Sequence, residues 1–179
     1  MSGSVFWQAV ANCRRARQRL WMNSIRPATP ADIPVIRALI VELAVYEREP
    51  DAVKASEADL HVALFGDRPL AEAVLAERDG EIVGLALFFT NFSTWAGRGG
   101  LYLEDLFVRP DARGLGLGKA LLVHLAGIAV TRGYGRFEWS VLDWNTPAIE
   151  FYRALGAQAQ DEWTVMRVEG DALVRLAGG

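Results

Sequence analysis

Leu103-Glu-Asp-Leu-Phe-Val-Arg-Pro-Asp-Ala-Arg-Gly-Leu-Gly-Leu-Gly-Lys119 is the stretch whose reading decides the fold. Leu103, Leu106, Phe107 and Val108 form an apolar run that reads as a buried strand, and Pro110 ends it. Arg113, Gly114, Leu115, Gly116, Leu117, Gly118 and Lys119 follow, and Leu117, Leu121 and Ile128 then recur at helical spacing. This is a strand that runs through a glycine-rich turn into a helix. Glycine lets backbone approach a ligand closely and adopt conformations other residues avoid. The free N–H groups of a helix's first turn, with the helix dipole behind them, favour an anion. Arg113 and Lys119 add positive charge, so the loop suits a pyrophosphate.

Two familiar pyrophosphate loops fail on spacing. A dinucleotide fingerprint needs G-x-G-x-x-G after the first strand and an acidic residue about 20 residues later; here the third glycine comes one residue early. A P-loop needs G-x-x-x-x-G-K-[ST]; Gly118-Lys119 is followed by Ala120.

Working outward, strands are expected over 24–28, 71–78, 81–91, 101–108, 136–142 and 163–168. Asp79-Gly80 reads as the turn of a hairpin. A first helix starts near Thr29 or Asp32 with Pro34 in its first turn, and Ile36, Leu39, Ile40, Leu43 and Ala44 mark its buried face. Ser56-Glu-Ala-Asp59 reads as a capped helix start. The helix after the glycines runs to about Thr131, and another runs from Asn145 past Pro147 to Leu155. The fold class is α/β: a central sheet with helices on both faces.

With 179 residues, 51% of them hydrophobic and 23% charged, the chain is long and apolar enough for one globular domain. No apolar run approaches the roughly 20 residues of a membrane span. A lone cysteine, Cys13, excludes an intrachain disulfide and fits a reducing, cytoplasmic setting. His61 and His124 read as surface residues, and no metal cluster is evident. Arg14, Arg15, Arg17 and Arg19 sit in an acid-free leader. The remainder holds 15 basic and 22 acidic residues, a net of −7. An acidic body favours cationic ligands and argues against nucleic acid. Residues 1–21 read as a disordered extension or a mis-assigned start, and 22–179 as the folded domain.

Arg113-Gly-Leu-Gly-Leu-Gly118 resembles the acyl-CoA-binding motif Q/R-x-x-G-x-G/A of the GNAT superfamily of N-acetyltransferases. The resemblance widens to the diamine and polyamine branch, which includes the spermidine/spermine and thialysine enzymes. It rests on Ile25-Arg-Pro-Ala-Thr29, Glu42-Leu-Ala-Val-Tyr-Glu47, Thr94-Trp95-Ala-Gly97, Leu101-Tyr-Leu-Glu-Asp105, Trp144-Asn145 and Phe151-Tyr152, which occur in the family's order.

The resemblance implies a mostly antiparallel mixed sheet with a splay between strands four and five. The pantetheine arm of acetyl-CoA would lie in that gap along Leu106, Phe107 and Val108, with the pyrophosphate on Arg113 to Lys119 and Asn145 nearby. It implies Tyr152 as both a cofactor contact and the acid that protonates the departing thiolate. Glu104 would be the base, directly or through water, with Asp105 binding or orienting the amine. Tyr46, Glu47 and Trp95 would contact the substrate, although Arg98, inserted beside Trp95, would repel a cation if it faced the pocket. It further implies a homodimer with 163–168 near the interface, and no metal or redox cofactor.

Glu104 and Asp105 are adjacent, so in a regular strand they point to opposite faces unless a bulge intervenes. The activity expected is acetyl transfer from acetyl-CoA to a small primary amine: a polyamine, a diamine, or a thialysine- or lysine-like compound. The alternatives are acetylation of a protein N-terminus or lysine, and a non-catalytic acyl-CoA sensor.

Overall fold

The computed structural model describes residues 23–178, so the leader and Cys13 lie outside the described residues. The described residues divide into two compact units, one ending at Ser140 and the other beginning at Val141. The first unit holds a sheet of five strands in the order β1 (Asn23–Pro27), β2 (Glu72–Arg78), β3 (Glu81–Ser93), β4 (Arg98–Val108) and β5 (Phe137–Trp139). Its helices are α1 (Ile33–Tyr46), α2 (Glu57–Phe65) and α3 (Leu117–Thr131). Strands β1 to β4 pair antiparallel and β5 joins β4 in parallel. This is the mixed, mostly antiparallel sheet expected from the sequence.

Local chemistry explains the turns. Asp79 and Gly80 have φ of 54° and 87°, and Arg78 pairs with Glu81 across them. Two consecutive positive-φ residues suit the right-handed twist of a two-residue hairpin. At α2 the Ser56 Oγ accepts from the Asp59 N–H at 3.2 Å and Asp59 Oδ2 accepts from the Ser56 N–H at 2.9 Å, a reciprocal capping box.

Alternation sorts the buried side chains between two faces. Ala73, Leu75, Leu85 and Phe107 meet Ile33, Ile36, Leu39 and Leu43 of α1 and Leu60 and Leu64 of α2. Val74, Ala76, Ala86 and Phe88 are also buried and belong to the opposite face, over which α3 packs with Leu117, Leu121, Leu122 and Leu125.

Asp32, just before α1, is buried. It accepts from both terminal nitrogens of Arg26 at 2.7 and 2.8 Å and from the Thr29 N–H and hydroxyl at 2.7 Å each. The Arg26 guanidinium holds its carboxyl well below the ordinary carboxylate range; burial opposes this and the Thr29 bonds reinforce it. Stability from such a group is present above its unfolded pKa of about 3.9 and disappears as pH falls through the native value. Asp32→Asn is expected to remove about 2–3 kcal/mol at pH 7. Urea denaturation checks this, with the gap to wild type closing below about pH 4.

Two expectations need correction. The fifth strand spans three residues rather than 136–142. Residues 163–168 form no strand: Trp163, Val165 and Met166 are 69%, 78% and 86% exposed. A strand exists only where a neighbour takes up its backbone hydrogen bonds, and this run has no strand partner among the described residues. The second unit instead holds α4 (Thr146–Ala154) and a helix the sequence did not announce, α5 (Gly170–Leu176). Among the described residues no helix is long and apolar enough to cross a membrane.

Candidate active site

The pairing of β4 with β5 covers Leu101↔Phe137, Tyr102↔Glu138 and Leu103↔Trp139, then stops. From Asp105 to Val108, β4 keeps β3 on one side and has no strand on the other among the described residues. On that edge the Val108 carbonyl accepts from the Arg113 Nε at 2.9 Å, and the other outward backbone groups face no strand among the described residues.

A bulge sits at the same point. Leu87 pairs with Asp105 while Phe88 pairs with Leu103, so Glu104 has no partner on β3. The extra residue reverses the alternation of β4. Leu101 and Leu103 are therefore buried on the α3 face, whereas Asp105 and Phe107 share the α1 face. Tyr102 passes to the face of Phe89, with ring centroids 5.1 Å apart.

The two acids thus acquire different environments. Glu104 is exposed; Asp105 is only partly so. Loss of water around Asp105, then the negative charges of Glu104 and Glu47, push its carboxyl up to about 6. The resemblance gives the base role to Glu104; in the structure Glu104 holds the exposed bulge position and Asp105 the raised carboxyl. Sequence reasoning allowed for a bulge but had no signal for its position.

Glu47 follows the last residue of α1. The helix ends in a Schellman pattern: the Glu49 N–H donates to the Ala44 carbonyl, the Arg48 N–H to that of Val45, and Arg48 has φ 69°. A non-glycine residue there costs about 1 kcal/mol, and it sets the direction in which the chain leaves the helix. Loss of water pushes the Glu47 carboxyl upward. The negative end of the helix dipole lies on the side of Glu47, and Glu47 and Glu104 are the two acids whose charge acts on Asp105.

The glycine loop lies beyond the free edge of β4. Pro110–Ala112 form a short turn, Gly114 and Gly116 have φ of 76° and 80°, and α3 begins at Leu117. The Ala120 N–H is the first to reach back into the helix, to the Gly116 carbonyl at 2.9 Å. The N–H groups of Leu117, Gly118 and Lys119 have no acceptor within the helix. Leu115 stands out at the loop tip, about half exposed. A Cβ added at Gly114 or Gly116 would meet nothing within 4 Å. The open space, bare amides and free strand edge fit a pyrophosphate with an extended arm.

Gly116→Ala is expected to cost about 1 kcal/mol of stability, because only the left-handed backbone is strained. By displacing the first-turn amides it should weaken coenzyme A binding about tenfold. Calorimetric titration beside thermal melting checks both.

Other candidates fall elsewhere. Trp95 is 90% exposed at the β3–β4 turn. Arg98 pairs with Ser93 at the base of that turn. Asp105 lies seven residues farther along β4, so about 20 Å of strand separates them. Within one chain Trp95 does not join the carboxylates, and Arg98 does not oppose them. In the second unit Asn145 occupies the N-cap position of α4 without a capping bond from its side chain, Pro147 lies in the first turn, and Tyr152 is half-buried with its ring 5.4 Å from that of Phe151. Among the described residues no group of His, Cys, Asp and Glu is arranged to hold a metal.

Residues 36–157 match the acetyltransferase (GNAT) family. The chain belongs to this family. It is an acetyl-CoA-dependent N-acetyltransferase. A thialysine N-epsilon-acetyltransferase from Bos taurus is 41% identical over 165 residues, spanning 86% of this chain and 96% of the relative. The L-ornithine N5-acetyltransferase NATA1 of Arabidopsis thaliana is 34% identical over 196 residues, spanning 84% and 86%. Among solved structures, an integron cassette protein from the mobile metagenome of V. cholerae superposes with a TM-score of 0.75 at 30% identity, covering 88% of this acetyltransferase and 98% of that chain.

Proposed function

We propose that the enzyme acetylates a primary amine of a small substrate carrying more than one positive charge: a diamine, a polyamine, or a diamino acid of the thialysine, lysine or ornithine kind. The observation that carries this reading is the partly buried Asp105 beside the bulge of β4, on which the negative charges of Glu104 and Glu47 both act. A monoamine needs one such partner; a second ammonium makes use of the others. The names of the relatives agree, since thialysine and ornithine each carry two amines.

Acetyl-CoA supplies an activated thioester. On this reading the free edge of β4 at Leu106–Val108 and the loop from Arg113 to Lys119 hold it. An ammonium has no lone pair, so the amine must lose a proton before it bonds to carbon. Asp105, with its pKa near 6, is ionised at neutral pH and accepts that proton, directly or through water. A free alkylammonium titrates near 10.4, so transfer from the resting amine is uphill by about four pH units. Once bonded to carbon the nitrogen is far more acidic and gives its second proton to water, from which the Tyr152 phenolate regains the proton it passes to sulfur. Glu104 and Glu47 hold the charged part of the substrate. The Tyr152 hydroxyl protonates the departing sulfur.

The test is thiol release from acetyl-CoA with spermidine, spermine, putrescine, thialysine, lysine, ornithine and a histone-like peptide. Preference for a di- or polyamine over a monoamine of equal length supports the reading. Turnover of the peptide alone overturns it.

A further inference from the structure

Arg113 opens the glycine run, where phosphate binding is the role its position suggests. Its side chain is engaged elsewhere. The guanidinium carbon lies 4.7 Å from the centroid of the Tyr46 ring and 5.7 Å from that of Phe107. Its Nε donates to the Val108 carbonyl at 2.9 Å. A guanidinium can stack on rings through its faces while it donates in its own plane, so these contacts are satisfied together. The partners belong to the ends of two elements that carry the acids. Tyr46 immediately precedes Glu47, and Phe107 is two residues from Asp105 on the same face of β4.

We propose that Arg113 is a positioning residue for the amine site, tying the coenzyme loop to the Tyr46–Glu47 end of α1 so that filling the loop orders the acceptor side. This rests on the substrate reading above. A rigid side chain bridging a loop and a helix end passes constraint from one to the other, because packed contacts adopt discrete arrangements. The end of α1 is a suitable receiver. Its final turn closes through Arg48 in the left-handed region, and Tyr46 and Glu47 are exposed.

Arg113→Lys separates the two roles. It keeps a charge for phosphate but loses the planar stack. Expected is an increase in the KM for the amine about threefold larger than any increase in the KM for acetyl-CoA, the size of one exposed cation–π contact. Tyr46→Leu should reproduce it, and the double variant should be no worse than the worse single. A second readout needs no turnover. Coenzyme A added to the wild-type protein should slow amide hydrogen exchange at 46–49 about threefold as well as at 114–119. In Arg113→Lys it should slow only the latter. A rise confined to the KM for acetyl-CoA, with protection at 46–49 unaltered in the variant, overturns the proposal. If wild-type protein turns over none of the amines, the substrate reading fails, and the exchange measurement alone decides whether Arg113 couples the two ends.

Discussion

Asp105→Asn should lower kcat/KM by about 10²–10³-fold, the usual contribution of a placed general base. It should also remove the acid limb of the pH–rate profile near pH 6, where the wild-type carboxyl titrates. The same substitution should stabilise the fold. The native value of about 6 lies above the ordinary value of 3.8, so the folded state holds its proton more tightly than the unfolded one. Wild-type stability from this group therefore falls as pH rises between those values, and the penalty stays in full above them. Asparagine carries no charge to desolvate. At pH 7 the variant should gain about 1–3 kcal/mol, with no gain at pH 3. A carboxylate with a purely structural role would show the opposite: loss of stability with activity following it. Glu104→Gln, at the exposed bulge position, should raise the KM for the amine more than it lowers kcat, because it changes binding charge and leaves the proton acceptor in place. Denaturant titration and pH-resolved kinetics on the two variants decide the assignment.

Tyr152→Phe should slow kcat by about 10²-fold, within the range for loss of a proton donor, while coenzyme A binds as before. A phenol donates a proton throughout the neutral range. The ring keeps its place on α4 beside Phe151, so melting temperature should hardly move. An acyl donor whose leaving group needs no proton provides the control. With an activated phenyl ester the variant should approach wild-type rates. A uniform loss with both donors would instead give Tyr152 a packing role.

The contrast between Glu104 and Asp105 shows how far the chain could be read unaided. The family resemblance of Leu101–Asp105 marked both as candidates, and an acid in an apolar strand is costly unless it is paired. Which one turns inward depends on where β4 slips against β3, and that register follows from how Leu101, Leu103, Asp105 and Phe107 distribute between two cores. No local pattern encodes it. The opposite holds at the glycine loop, where Gly114 and Gly116 take the left-handed backbone that their residue type permits. The 163–168 stretch failed for a third reason: Trp163, Thr164, Val165 and Val168 are residue types that favour a strand, but a strand needs a neighbour to pair with.

Several features were determined by the sequence alone because they are local: the Asp79-Gly80 hairpin, the Ser56–Asp59 cap and the strand–glycine–helix turn. The tertiary structure decided what depends on residues distant in the chain. It carried Tyr46 and Glu47 from the end of α1 to the β4 bulge, laid Arg113 across Tyr46 and Phe107, kept Trp95 away from the acids, and withdrew water from Asp105 but not from Glu104. The physical reason is that burial and the charge around a group are sums over everything packed near it, and packing is a property of the whole fold.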